Sequence, residues 1–207
     1  MSMTSMKKVI PILCILITIS CQLSAQSIKD IWISMPDSIV PYLTIDLKKE
    51  LVNNAKLSIK AQVINLLGDT TKVDTASDKY MKVVLSKRST LELIELDKNT
   101  IALLMTFHGP LKDSNLSLYS KDWTLIKNKV RLSVTAIKPS PMSDEEYDEC
   151  VKLMCPSLRQ IAYLPDENVF LPKYSFPLLS GDNKEKANSI LTQTKYKWDG
   201  SELKKVK

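Results

Sequence analysis

His108 is the one histidine in the chain, so any catalytic triad or metal site that needs an imidazole must pass through it. Alternation along 101–108 groups it with Ala102, Leu104 and Thr106, opposite Ile101, Leu103, Met105 and Phe107. It falls at a strand end beside Gly109-Pro110 and reads as a partly exposed turn residue rather than as a base. The acids Asp144, Glu145, Glu146, Asp148 and Glu149 form the next cluster, with Glu145 and Glu149 on one helix face. A calcium loop alternates its oxygen ligands around a glycine turn, and this run does neither. Acids favoured by the dipole at a helix start explain it better. Ser86-Lys87 and Ser120-Lys121 set serine beside lysine, but adjacent strand residues point to opposite faces and cannot form a dyad. With four glycines in 207 residues, the chain has no phosphate-cradling glycine loop and no G-x-S-x-G elbow. These residues assign no catalytic site, no cofactor and no metal, and catalysis is not the expected role; a site assembled from dispersed residues stays open.

The cysteines divide by position. Lys7-Lys8, the uncharged apolar run from Val9 to Ile19 and the closing Leu23-Ser24-Ala25 read as a cleavable signal peptide over residues 1–25. The apolar run is well short of the roughly 20 residues that span a bilayer, and no later segment reaches that length without charges. Cleavage after Ala25 removes Cys14 and Cys21, lowers the formal net charge from +6 to +4, and leaves 182 of the 207 residues. The alternative start is Cys21, which follows Thr18-Ile19-Ser20 and would carry a lipid anchor. Cys150 and Cys155 remain as the candidate disulfide of an oxidising compartment. Residues five apart on one helix point roughly 140° apart, so the bond needs the helix to end between them. Pro156 favours such an end. Tetrahedral zinc needs about four ligands, which a single histidine and two cysteines do not supply. Only Arg88, Arg131 and Arg159 are arginines, and the charges are interspersed, which argues against a nucleic-acid face.

The elements that position these residues follow from hydrophobic period. Ile28, Ile31 and Trp32 make a helical stripe, broken by Met35-Pro36, and a second helix is expected over Thr44–Asn54 with Leu47 and Leu51 in register. From about Lys60 the period becomes two. Strands are expected around Val63–Leu67, Lys72-Val73, Tyr80–Ser86, Thr90–Leu96, Ile101–Phe107, Ser117–Tyr119, Trp123–Ile126 and Val130–Val134, an antiparallel meander. The face bearing Ile101, Leu103, Met105 and Phe107 needs a cover, and the two N-terminal helices supply it. After Pro139-Ser140-Pro141, Ser143 with Glu146 is a capping-box signature for a helix to about Cys155. Short strands follow at Arg159–Tyr163 and Val169–Leu171, then one short helix within Asn183–Leu191. A hairpin closes the chain, Tyr196–Trp198 and Leu203–Val206 around Asp199-Gly200.

The fold class is therefore α+β: N-terminal helices on an antiparallel meander, then a helix and a smaller antiparallel sheet. Residues 26–138 and 139–207 are two units or one continuous domain, and Trp123 and Trp198 near the two strand sets hint at a repeated helix-then-meander unit. Trp32, Trp123 and Trp198 with Tyr80, Tyr119 and Tyr196 would serve either as a peptide- or sugar-binding face or as core anchors. The ending Ser24-Ala25-Gln26, the opening Ile31-Trp32-Ile33-Ser34-Met35-Pro36 and the closing Tyr196-Lys197-Trp198-Asp199-Gly200 resemble a family of uncharacterised exported proteins of Bacteroidetes bacteria. That resemblance implies an envelope location and carries no functional residue with it. The expected function is a periplasmic or secreted, non-catalytic binding or protein-interaction module, its partner an envelope protein, a peptide or a glycan. The alternative is a periplasmic hydrolase with a dispersed carboxylate site.

Overall fold

The computed structural model describes residues 26–57 and 60–206. Helix α1 (Ile28–Ile33) starts on a capping box: Asp30 N–H donates to Ser27 Oγ at 3.3 Å while Ser27 N–H donates to the Asp30 carboxylate at 3.2 Å. Helix α2 (Ile45–Lys56) is capped by Thr44, whose hydroxyl accepts from Leu47 N–H, and runs slightly past the expected end. Their apolar stripes, Ile28, Ile31 and Trp32 with Leu51 and Val52, are buried.

Those stripes lie on a seven-stranded antiparallel sheet in strict sequence order. Its strands are β1 (Gln62–Ile64), β2 (Thr70–Ala76), β3 (Tyr80–Ser86), β4 (Ser89–Glu95), β5 (Thr100–His108), β6 (Lys112–Ser120) and β7 (Leu125–Lys127). Gly68, at φ +83°, makes the left-handed turn between β1 and β2. As the alternation requires, Ile101, Leu103 and Met105 pack under the helices with Met81, Val83, Leu91 and Leu93, while Phe107 stays exposed at the rim. Strand β4 is buried along nearly its whole length, which a one-sided meander would not produce.

A second layer covers the other face. After the two-residue β8 (Thr135–Ala136) and helix α3 (Asp144–Leu153) come β9 (Leu158–Leu164), β10 (Val169–Ser175), α4 (Gly181–Ser189), β11 (Leu191–Thr192), β12 (Lys195–Trp198) and β13 (Leu203–Val206). Four of these strands form a sheet in the order β13-β12-β10-β9, and β8 pairs with β11. Ile161, Phe170 and Tyr196 of the smaller sheet share a core with Tyr80, Ile94, Ala102, Leu104, Leu116 and Leu118 of the larger one. The molecule is thus helices, large sheet and small sheet in three layers, the α+β arrangement expected.

Two local expectations change. Residues 130–134 do not form a strand; Val130 N–H reaches Leu116 O at 2.7 Å, Ser133 N–H reaches Tyr196 OH at 3.2 Å, and Val130 and Leu132 fill the second core. Strand β10 runs past Leu171 through Pro172, which pairs with Ile161. Ile161 N–H points away from β10, to Ser114 Oγ at 3.0 Å. The pair is therefore a non-hydrogen-bonded one, and Pro172 withholds no N–H that the ladder needs.

Candidate functional site

Two places gather polar side chains around a concavity or a core. The first lies on the outer face of the small sheet. With Ile161 and Phe170 turned inward, alternation turns Gln160, Ala162, Leu171 and Lys173 outward as the cross-strand pairs Ala162–Leu171 and Gln160–Lys173. Opposite them stand Asn188 at the end of α4 and the segment Leu191-Thr192-Gln193. Together with Val134 they enclose a cleft of about 480 Å³. Buried Ala187 and Ile190 hold the α4 wall, and a threonine cluster pins its continuation: Thr135 N–H donates to Thr194 Oγ1 at 3.0 Å and Thr192 Oγ1–H donates to Thr135 O at 3.1 Å.

The cleft has an aliphatic floor of Ala162, Leu171, Val134 and Leu191 and a polar lining of three carboxamides, a threonine, the Tyr174 phenol and one ammonium. Among the described residues Lys173 has no carboxylate within ion-pair distance, unlike Lys195, which reaches Glu167 at 2.5 Å. No Asp, Glu, His or Cys lines this space. It can orient a molecule by hydrogen bonds.

The second place is the polar half of the core between the sheets. Tyr80 OH donates to Glu92 Oε2 at 2.6 Å, and Lys82, cross-strand from Glu92, also meets Asp74 at 3.5 Å. Burial holds the Glu92 carboxyl above the usual range, an effect that the Tyr80 hydrogen bond and Lys82 only partly offset. Tyr80 is pushed up as well, by burial and then by its bond to Glu92. Farther along the same face Thr106 and Ser114 hydroxyls sit 2.9 Å apart, and Ser114 takes the Ile161 N–H that ties β9 to β6.

His108 ends β5 on this face, with Nε2 3.2 Å from Thr90 Oγ1. Burial lowers its pKa, and Lys112 and Lys82 lower it further. A catalytic histidine is oriented and stabilised by an acid, whereas this one is flanked by cations. Ser86 and Ser89 hydroxyls lie 3.2 Å apart across a hairpin. The three tryptophans are dispersed: Trp32 Nε1–H donates to Lys48 O and Trp123 Nε1–H to Ile31 O under the helices, while Trp198 Nε1–H donates to Asp97 Oδ2 beside the small sheet. They act as anchors in two cores and share no binding face.

The acids at residues 144–149 open α3, where Glu146 N–H donates to Ser143 Oγ and Ser143 N–H to the Glu146 carboxylate, as the capping-box reading requires. Cys150 is buried in α3 and Cys155 is exposed beyond its end, both as free thiols. Cys21 and the rest of residues 1–25 lie outside the described residues. Among the described residues no group of three His, Cys, Asp or Glu side chains could hold a metal, and no helix is long and apolar enough to cross a membrane. Sequence reasoning missed the 480 Å³ cleft; the signal present was the outward alternation of Gln160/Ala162 and Leu171/Lys173.

A family model described as "Protein of unknown function (DUF3256)" matches residues 20–203. No curated protein matches the chain. A solved structure, "Structure of a domain of an uncharacterized protein from Porphyromonas gingivalis W83", is similar with a TM-score of 0.69 at 15% identity, covering 88% of this chain and 98% of that one. At that identity the likeness concerns the fold. Both findings agree with the expected resemblance to an uncharacterised Bacteroidetes family.

Proposed function

We propose that this chain, which belongs to the DUF3256 family of proteins of unknown function, is an exported envelope module that binds a small peptide or glycan and does no chemistry on it. The observation that carries the reading is the cleft over β9 and β10, whose volume of about 480 Å³ suits a small ligand. Its carboxamides Gln160, Asn188 and Gln193 can pair with amide or hydroxyl groups, and Lys173 can take one carboxylate. Export is supported by the order Lys7-Lys8, apolar run and Ser24-Ala25, with lipidation at Cys21 as the other processing route.

The test is thermal unfolding with a panel of N-acetylated dipeptides and disaccharides, for the natural chain and for A162W, whose indole would fill the cleft. A ligand at a hundred times its Kd stabilises by about 2.7 kcal/mol. In a domain of this size that raises Tm by roughly 5–10 °C. The expected result is a rise in the natural chain that is lost in A162W while its unliganded Tm is kept. An equal rise in both would place binding elsewhere.

One observation favours a second reading, hydrolysis at a dispersed carboxylate site: Glu92 is a buried acid with a raised pKa and Asp74 close by. A hydrolytic turnover that E92Q abolishes without unfolding the protein would support it, and a turnover that E92Q leaves intact would remove it.

A further inference from the structure

The edge of the large sheet beyond β6 carries a different chemistry from the cleft just described. Lys127, Lys129 and Arg131 line a second cleft, of about 430 Å³, between β7 and the β12–β13 turn. One acid, Glu202, shares it, and that carboxylate already lies 3.7 Å from Lys204 Nζ. Among the described residues none of the three cations has a carboxylate within ion-pair distance.

The backbone concentrates these charges. Lys127 pairs with Leu118, and Val130 N–H reaches Leu116 O, so Asn128 and Lys129 together oppose the single residue Ser117, one residue more than a regular ladder holds. Lys129 is held at φ +50°, a left-handed conformation that a lysine seldom adopts, and Ser117 Oγ–H fixes the insertion by donating to Asn128 Oδ1 at 3.1 Å. Immediately before the cations, Ile126 lines the same cleft and is 55% exposed. An aliphatic tip beside unpaired cations matches a surface with anionic head groups over hydrocarbon.

We propose that this edge docks on the phosphate groups of an anionic lipid surface, with Ile126, which lines the same cleft, entering the head-group layer. The site is independent of the β9–β10 cleft and stands whether or not that cleft binds a ligand.

The described residues of both cores lie between Ile28 and Leu203, and the chain used starts at Gln26, the expected mature start. The experiment measures sedimentation of that chain with vesicles of phosphatidylcholine, alone or with one-third phosphatidylglycerol, at low ionic strength. K127Q/K129N/R131Q removes the cleft charges, asparagine being tolerant of the left-handed backbone. K49Q/K56Q/K98Q removes the same charge from exposed positions elsewhere. Each cation near such a surface is worth about fivefold, so the first variant should bind on the order of 100-fold more weakly. The control should stay within a few-fold of the natural chain, and phosphatidylcholine alone should not bind. I126S should weaken binding with all charges kept. Equal loss in the control would make the effect one of net charge and overturn the proposal. So would the absence of vesicle binding. Saturable binding of inorganic pyrophosphate without vesicle binding would give the cleft to a soluble phosphate and overturn the lipid surface.

Discussion

The two faces of the seven-stranded sheet are covered by different means. Under α1 and α2 the contact is mainly aliphatic and aromatic, and its tryptophan N–H groups are satisfied by backbone carbonyls. Its buried polar side chains Asn65 and Thr71 bond to each other and to Leu85 O. Its one buried cation, Lys48, threads out to Met35 O and the exposed Asp37 carboxylate. Under the small sheet, aliphatic residues share the face with Glu92, Thr90, Thr106 and Ser114. Arg159 Nε is buried there without a partner. The dry face is suited to stability. The mixed face sets the register of a second layer through particular hydrogen bonds, such as Ile161 N–H to Ser114, and that layer's outer surface is free for recognition.

The largest effect should come from the dry face. W32A removes a fully buried indole and its bond to Lys48 O, and should cost about 3–5 kcal/mol, lowering the denaturant midpoint of all probes together. F170A truncates the centre of the mixed face, where Phe170 meets Tyr163 at 4.9 Å, and should cost about 3 kcal/mol. Here amide exchange should separate the layers, with β9, β10 and β12 losing protection while β3 to β5 keep theirs. Equal loss in both layers would erase the distinction between the faces.

Smaller effects test the polar half. Glu92 has a folded pKa above its unfolded value, so the folded state binds more protons between the two. Its contribution therefore falls as pH rises from the unfolded pKa through the folded one. E92Q keeps an acceptor for Tyr80 and has no such titration. The stability difference should move against the natural chain as pH rises above the ordinary carboxylate range, and a flat difference would show that Glu92 is not desolvated. The smallest effect concerns α3. In the folded protein Cys155 should react with iodoacetamide and Cys150 only after unfolding, whereas two unreactive cysteines in the unfolded, unreduced chain would mean a Cys150–Cys155 disulfide.

Much of the dry face was legible in sequence because its signals are local and periodic. Strand β3 falls on the expected Tyr80–Ser86 and the Ile101/Leu103/Met105 stripe is covered by the helices; away from that face, the equally local Ser143 and Glu146 signal caps α3. The mixed face was less legible. Glu92 lies between Leu91 and Leu93 and reads as a solvent-facing position, yet it is 8% exposed because Tyr80 and the distant small sheet cover it. Pro172 masked the second half of β10, since only the pairing geometry reveals that its missing N–H is not needed. Strands β8 and β11 have two residues each, too few to show a period. The β9–β10 cleft depends on α4 returning over the sheet, a tertiary event with no local pattern.

Amide-detected NMR titration with the dipeptide and disaccharide panel tests the central claim, that recognition belongs to the small-sheet layer. Shifts clustered on Gln160, Ala162, Leu171, Lys173 and Gln193, saturating together, are the predicted result. Shifts confined to the helix-covered face, or centred on Glu92 and His108, would contradict it.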